Sequence, residues 1–307
     1  MEDVEQQQEV TTKDTSNIMD EVEDNNNNSE NNNNNDDDDT ANLSNRERQK
    51  LRKLAKFTRF PKRVRAHCNP LADETYEHPS DPSQVDWSAM YPDWNVEKDA
   101  VTILDVGCAY GGLICSIAPK KKENRILGIE IRKKVVDYTQ ERILKLRAKD
   151  DSISMYTSTG SVDQEQVKQL TKRDDSHDYN NVWAIRSNAM KYLPCYFKKG
   201  QLEKISFMFP DPHFKKKNFR RRIISPTLIS EYAYLLKQGG MIYTITDVKE
   251  LGEWMQKHLD ESPLFERMSD EELKDDILIP YIQNASEDGQ RTSDQNKSKY
   301  MAIYRKK

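Results

Sequence analysis

Asp211 stands between Pro210 and Pro212, at the point where the apolar run Phe207-Met208-Phe209 gives way to His213-Phe214 and the cations Lys215-Lys216-Lys217. Two prolines fix φ on either side and supply no N–H, so the carboxylate projects with little freedom. A stiff carboxylate can accept hydrogen bonds from a substrate edge or stabilise positive charge developing beside it. The same local pattern also suits a helix N-cap, and from these residues alone both readings stand. A second group of residues lies upstream. Gly107, Gly111 and Gly112 open Gly107-Cys108-Ala109-Tyr110-Gly111-Gly112, a loop that lets a ligand lie against bare backbone at a helix N-terminus. Its G-x-x-x-G-G spacing departs from the G-x-G-x-x-G of dinucleotide sites, which argues against a dehydrogenase, and no hydride-site His or Tyr constellation accompanies it. Glu130 follows at about the twenty-residue separation of an acidic residue that accepts from ribose hydroxyls. The third group is Lys215, Lys216, Lys217, Arg220, Arg221 and Arg222, six cations beside Asp211 and suited to phosphate binding.

These residues need strands to hold them. Ile205 to Phe209, entered from Lys204, lacks polar alternation and is expected to be a strand buried on both faces of a parallel sheet, ending at Pro210. Ala100 to Val106 and Arg125 to Ile131 are strands leading to the glycine loop and Glu130, and an apolar helix is expected over Leu113 to Ala118. Arg132 to Lys149 is a helix with Val135, Val136, Ile143, Leu144 and Leu146 inside and its Lys and Arg outside. Val182 to Ile185 leads into Arg186-Ser187-Asn188-Ala189, where Asn188 either caps the helix Ala189 to Leu193 or meets a purine edge. Ser225-Pro226 starts a helix through Leu236 that Gly239-Gly240 ends, before a strand Met241 to Thr246. Lys249 to Leu259 is a helix, Asn284 to Lys299 a polar loop, and Tyr300 to Tyr304 a late strand able to return antiparallel. The strand and helix alternation implies an α/β fold, a doubly wound, mostly parallel sheet with helices on both faces and one antiparallel strand.

Composition divides the chain. With 307 residues but only 35% hydrophobic, part of it is expected to be unfolded. Residues 1–45 hold fourteen acidic residues, one Lys and asparagine runs, and read as a disordered acidic tail; without that tail's charge of −13, the formal −4 becomes +9. The body is basic and suggests a polyanionic partner. Residues 46–65 form a basic arm, ten of twenty positions being Lys or Arg around Leu51, Leu54, Phe57 and Phe60. The arm is a docking segment, a phosphate contact or a nuclear import signal. Residues 66–307 are the folded domain, with a polar surface insertion at 150–181. Tyr76 to Trp94 is ordered but irregular, its aromatics packed on the body. Cys68, Cys108, Cys115 and Cys195 lack C-x-x-C spacing and are expected to be buried thiols, and no metal site is expected. Without an apolar leader or a long apolar span, a soluble intracellular protein with no membrane association is expected.

Asp105-x-Gly107-x-x-x-Gly111-Gly112 with Glu130 resembles the cofactor half of class I S-adenosylmethionine methyltransferases, with Ala109 where the middle glycine usually stands. Arg186-Ser187-Asn188-Ala189, Phe209-Pro210-Asp211-Pro212-His213-Phe214-Lys215 and Arg222-Ile223-Ile224-Ser225-Pro226 resemble the tRNA (guanine-N7)-methyltransferases. The resemblance runs from about Arg65 to Met268 and resumes at Tyr300. It implies a Rossmann-like methyltransferase sheet and methyl transfer from S-adenosyl-L-methionine to guanine N7 in the variable loop of tRNA. It further implies that Gly107, Glu130, Ile131, Arg132, Asn188, Ala189 and Met208 line the cofactor pocket, and that Asp211 is the active-site carboxylate. Ser286 and Asp288, in Ser286-Glu287-Asp288, stand where the family has Thr-x-Glu, and join that pocket. The cation run becomes a tRNA contact. Eukaryotic members work in the nucleus with a noncatalytic WD-repeat propeller subunit, which makes a heterodimer the expectation. The rival is a noncatalytic tRNA-binding subunit with a decayed pocket, against which intact Glu130 and Asp211 speak.

Overall fold

The computed structural model describes residues 68–72, 76–155 and 178–307, together with 165, 167 and 169. The acidic tail 1–45, the basic arm 46–65 and most of the 150–181 insertion lie outside the described residues. Seven strands form one sheet: β1 Val101–Val106, β2 Arg125–Glu130, β3 Val182–Arg186, β4 Leu202–Met208, β5 Leu236–Thr246, β6 Phe265–Arg267 and β7 Tyr300–Lys306. Their order is β3-β2-β1-β4-β5-β7-β6. Pairings from β3 to β5 are parallel, and β7 runs antiparallel to both β5 and β6, so it is the antiparallel strand that was expected. Ile103 to Val106 of β1 and Ile205 to Met208 of β4 are buried at consecutive positions, which requires cover on both faces of the sheet.

That cover comes from helices α1 Gly112–Ile117, α2 Lys133–Ala148, α3 Ala189–Tyr196, α4 Pro226–Leu235, α5 Lys249–Asp260, α6 Asp270–Leu273, α7 Ile279–Asn284 and α8 Glu287–Asp294. Ser225 caps α4 through its hydroxyl, and Pro226 occupies the first turn, where its missing N–H costs nothing. Tyr76 to Trp94 is irregular as expected and packs inward: Trp87 stacks on Phe197 at 6.2 Å, and the buried Tyr91 donates its hydroxyl to the Ile126 carbonyl. Among the described residues no helix is long and apolar enough to cross a membrane.

Several expectations need correcting. The central strand starts at Leu202 and stops at Met208, because Phe209 turns to φ 49°. Gly239-Gly240 does not end a helix. Both lie in β5, at an irregularity in its register with β4, with Gly239 at φ 74°. The presumed polar loop Asn284 to Lys299 contains α8, with Ser286 accepting from the Gly289 N–H as its cap. The 150–181 segment is not wholly surface, since Ile153, Met155, Tyr179, Asn180 and Asn181 at its ends are buried. Of the four thiols only Cys108 and Cys115 are fully buried.

The outer face of α2 also differs from its expected charge pattern. Arg142, Lys145 and Arg147 are buried. Arg147 lies over the Trp183 ring and donates to the carbonyls of Met90, Tyr179 and Val182. Those hydrogen bonds satisfy a cation that burial drives down to a pKa of about 10. A long side chain with an aliphatic stem and a fully bonded head can enter a core, which polarity alone does not reveal.

Candidate active site

In this strand order the direction of winding reverses between β1 and β4, and a parallel sheet opens a crevice at the carboxyl ends of its strands there. β1 delivers Gly107, β2 delivers Glu130 and β4 delivers Phe209-Pro210-Asp211 into it. The ends are tied together by backbone hydrogen bonds: the Gly107 N–H to the Ile129 carbonyl at 2.8 Å, Ser187 to Glu130 at 3.2 Å, and Phe209 to Ile245 at 2.8 Å. A cavity of about 730 Å³ occupies the crevice. Its lining includes every expected cofactor position: Gly107, Glu130, Ile131, Arg132, Asn188, Ala189, Met208, Ser286 and Asp288, and it also includes Asp211 and Arg221.

Asp211 is not a helix cap. The segment after it stays irregular until a 3-10 turn at Lys216–Arg221, whose cap position is Lys215. Phe209 at φ 49° and His213 at φ 47° are left-handed non-glycine residues on either side of the two prolines. Such backbone costs on the order of 1 kcal/mol per residue and persists where surrounding structure imposes it. The carboxylate is thereby aimed from the end of β4 onto the rim of the cavity, half-buried.

The glycine loop is gripped from two sides. Thr139 of α2 donates its hydroxyl to the Ala109 carbonyl at 2.8 Å, and Arg142 donates Nη1 to the Tyr110 carbonyl at 2.8 Å. Ala109, standing where a glycine would be expected, sits at φ 45° under that grip. Gly107 is at φ 75°, and a Cβ there would meet nothing within 4 Å, so the backbone faces open cavity. On the opposite side a Cβ on Gly112 would fall 2.3 Å from the Ala285 carbonyl, because the turn into α8 lies directly on the loop. Glu287 at the start of α8 accepts from Arg142 Nη1 at 3.0 Å, closing a link between α2, the loop and α8. Neither Arg142 nor Glu287 was singled out from the sequence: they are 145 positions apart, and no spacing rule connects them.

Glu130 is buried at the end of β2. Arg132 folds back onto it through its N–H and Nε to Oε1, at 2.9 and 3.0 Å, and through Nη2 to Oε2 at 3.1 Å. Asp105, 3% exposed at the base of the cavity, accepts from the Ser206 hydroxyl at 2.6 Å. Burial pushes its carboxyl up to about 7; the Ser206 hydrogen bond opposes this, while Glu287 and Glu130 add to it. Asn188 resolves in favour of the cap: Oδ1 accepts from the Met190 N–H and Nδ2 donates to the Pro70 carbonyl at 2.6 Å. Both ends of its amide are held by the backbone, and the residue lines the cavity. Ser286 is likewise a cap, and Asp288 is exposed beside Arg291.

The cation run divides. Lys215, Lys216, Lys217 and Arg220 are exposed, Arg221 reaches the cavity, and Arg222 is 1% exposed. Arg222 is withdrawn from the surface, contrary to its expected RNA contact. Its guanidinium lies 3.7 Å from the Phe219 ring centroid and 4.7 Å from that of Trp254, and donates to the Pro212 carbonyl and to Glu250. Through Pro212 it braces the turn that carries Asp211.

With this geometry in place, the comparisons with known proteins converge. A family model described as a putative methyltransferase matches residues 99–156 and 160–302. A Caenorhabditis elegans protein named tRNA (guanine-N(7)-)-methyltransferase is 45% identical over 244 residues, covering 80% of this chain and 86% of its own length. Proteins of the same name from Xenopus laevis and Candida albicans are each 43% identical, covering 80% and 82% of this chain and 87% and 77% of their own.

Proposed function

The chain belongs to the tRNA (guanine-N7)-methyltransferase family, and on that footing we propose that it methylates N7 of a guanine in tRNA, with Asp211 holding the base. The residues fit S-adenosyl-L-methionine. Gly107 presents open backbone, Glu130 offers carboxylate oxygens at the ribose position, and the volume is that of a small-molecule site. That cofactor supplies an electrophilic methyl group on a sulfonium. Ile131, Ala189 and Met208 give the cavity its apolar wall, and Arg132 keeps Glu130 oriented.

Guanine N7 carries an in-plane lone pair and no proton, so no general base is needed to create the nucleophile. Asp211 accepts hydrogen bonds from the guanine N1–H and 2-amino group, turns N7 toward the methyl, and offsets the positive charge of the 7-methylguanine. The observation that carries this reading is the rigid turn of Phe209 to His213, which places a carboxylate on the rim of the cavity that Gly107 and Glu130 line. The decayed-pocket alternative is not favoured, since that cavity is open and its acidic residues are in place.

Asp211→Asn is the test. It preserves shape but puts a neutral amide before a donor edge, and single-turnover methyl transfer should fall about a hundredfold with cofactor binding retained. Turnover within a few-fold of wild type would remove Asp211 from the mechanism. We propose further that the enzyme works in the nucleus with a WD-repeat propeller subunit. What supports this is the resemblance of the Arg186 and Phe209 blocks to the family, whose eukaryotic members have such a subunit, together with the acidic tail 1–45 and the basic run at 46–65, which give the chain a eukaryotic look. Reconstitution with and without such a subunit, and a fluorescent fusion lacking 46–65, test the two parts.

A further inference from the structure

Phe214 is 65% exposed, whereas Phe219, five positions on, is packed against Trp254 at 5.1 Å and Arg222 at 3.7 Å. The two phenylalanines belong to the same short segment, and the structure buries one and leaves the other in water. Among the described residues Phe214 has no aromatic ring partner and is not packed against the core. The backbone before it is not loose: Pro210, Pro212 and the left-handed Phe209 and His213 fix its direction. An exposed ring on a stiff turn loses little entropy when a ligand covers it.

Two further observations indicate what covers it. Lys215, Lys216 and Lys217 follow immediately and are exposed. The ring is three residues from Asp211, so their Cα atoms are at most ~10–11 Å apart. Among the described residues the other large exposed hydrophobic side chains, Val96, Tyr234, Leu264 and Ile277, lie far from Asp211 in the sequence, whereas Phe214 directly follows His213, which lines the cavity. A flat apolar ring beside a row of ammonium groups matches one ligand chemistry, a nucleotide of a single-stranded segment, whose base stacks while its phosphate pairs with lysine.

We infer that Phe214 is a stacking platform for an unpaired base next to the guanine held by Asp211. This rests on the tRNA methyltransferase reading and deepens it by adding a second base-binding position outside the cavity. The target guanine must leave its stack to reach the cavity, and the neighbour it abandons loses a stacking face. Phe214 replaces that face, so the extrusion needed for reaction is favoured by the enzyme surface itself. The platform has no donors or acceptors on its ring, and so tolerates any base at that position.

The experiment uses the full-length chain and an unmodified full-length tRNA transcript that the wild-type protein methylates, in binding titrations at several salt concentrations and in steady-state kinetics. Phe214→Ala should weaken tRNA binding and raise KM about five- to a hundredfold, the range for one lost base stack, with the salt slope unchanged. Phe214→Trp should restore binding, and Phe214→Leu, apolar but without a π face, should not. Lys215→Gln, Lys216→Gln and Lys217→Gln together should flatten the slope instead. S-adenosylhomocysteine affinity and melting temperature should not move in the Phe214 variants, which separates a lost contact from a damaged fold. Phe214→Ala within twofold of wild type overturns the inference, as does rescue by Leu, which would assign the ring to plain apolar packing. Wild-type protein that transfers no methyl group to any tRNA transcript, either alone or reconstituted with the propeller subunit, overturns the functional reading beneath it as well.

Discussion

Asp105 offers a quantitative test of the electrostatics at the base of the cavity. Its carboxyl is shifted from an ordinary 3.8 to about 7, first by burial and then by the carboxylates of Glu287 and Glu130, against the Ser206 hydrogen bond. The folded protein therefore holds a proton that the unfolded chain releases between about pH 4 and pH 7. Where the native state binds more protons, stability falls as pH rises, so the cost develops through this window and is complete above it. The difference between 3.8 and about 7, at ~1.4 kcal/mol for each tenfold in proton affinity, comes to ~4 kcal/mol. Asp105→Asn keeps an oxygen for the Ser206 hydroxyl and has no proton to lose. The difference in unfolding free energy, variant minus wild type, should be near zero at pH 4 and rise to roughly 2–4 kcal/mol at pH 8. Urea unfolding of both proteins at half-unit intervals measures it, and subtraction cancels the titrating groups that do not interact with Asp105. A difference that stays flat across pH 4 to 8 would show that the site is hydrated enough to keep Asp105 ionised, and the account of the cavity floor would fail. Because the cofactor is cationic, it should bind ionised Asp105 better, and calorimetry in buffers of different ionisation enthalpy should detect proton release near pH 6.

Two other outcomes follow from contacts in the same cavity. Glu287→Ala leaves the 4% exposed Arg142 without its carboxylate and should lower stability by about 3 kcal/mol in urea unfolding, with weaker S-adenosylhomocysteine binding; Glu287→Gln, which keeps an acceptor, should lose less than half of that. Glu130→Ala should weaken S-adenosylhomocysteine binding by roughly 1–3 kcal/mol in calorimetry while leaving tRNA affinity nearly unchanged, and equal affinity would move the ribose site elsewhere.

The parts of this molecule that the sequence predicts well are those set by neighbours in the chain. The β1 strand, its glycine loop and Glu130 were legible because apolar runs, glycine spacing and a terminal carboxylate are local signals, and Asn188 was readable as a cap for the same reason. Arg222 was misread because a run of arginines looks alike from outside; Phe219, Trp254 and Glu250, which take it out of solvent, come from the run itself and from another helix. Arg142 and Arg147 escaped by the same route, since a charge pattern carries no record of the carbonyls and carboxylate waiting across the fold. Gly239-Gly240 mimicked a helix stop because glycine serves equally at a helix end and in a strand irregularity. The helix α8 was missed because its core-facing residues, Gly289 and Thr292, are small and give no apolar stripe.

The place of β7 bears on the order in which the molecule can assemble. Among the described residues β6 pairs only with β7, yet β7 comes more than thirty residues later and wedges between β5 and β6, with α8 made immediately before it. During synthesis β5 therefore emerges with an unmet edge, and β6 has no partner until almost the whole sheet exists. The contact of Glu287 with Arg142 and the seating of Ala285 against Gly112 belong to this same late step. A nascent chain stalled before β7 carries the glycine loop, Glu130, Asp211 and α8, but without β7 to anchor α8 against the sheet edge it is expected to hold the methyl donor poorly. A ribosome-bound series of increasing length should acquire cofactor binding abruptly, within the few residues that complete β7.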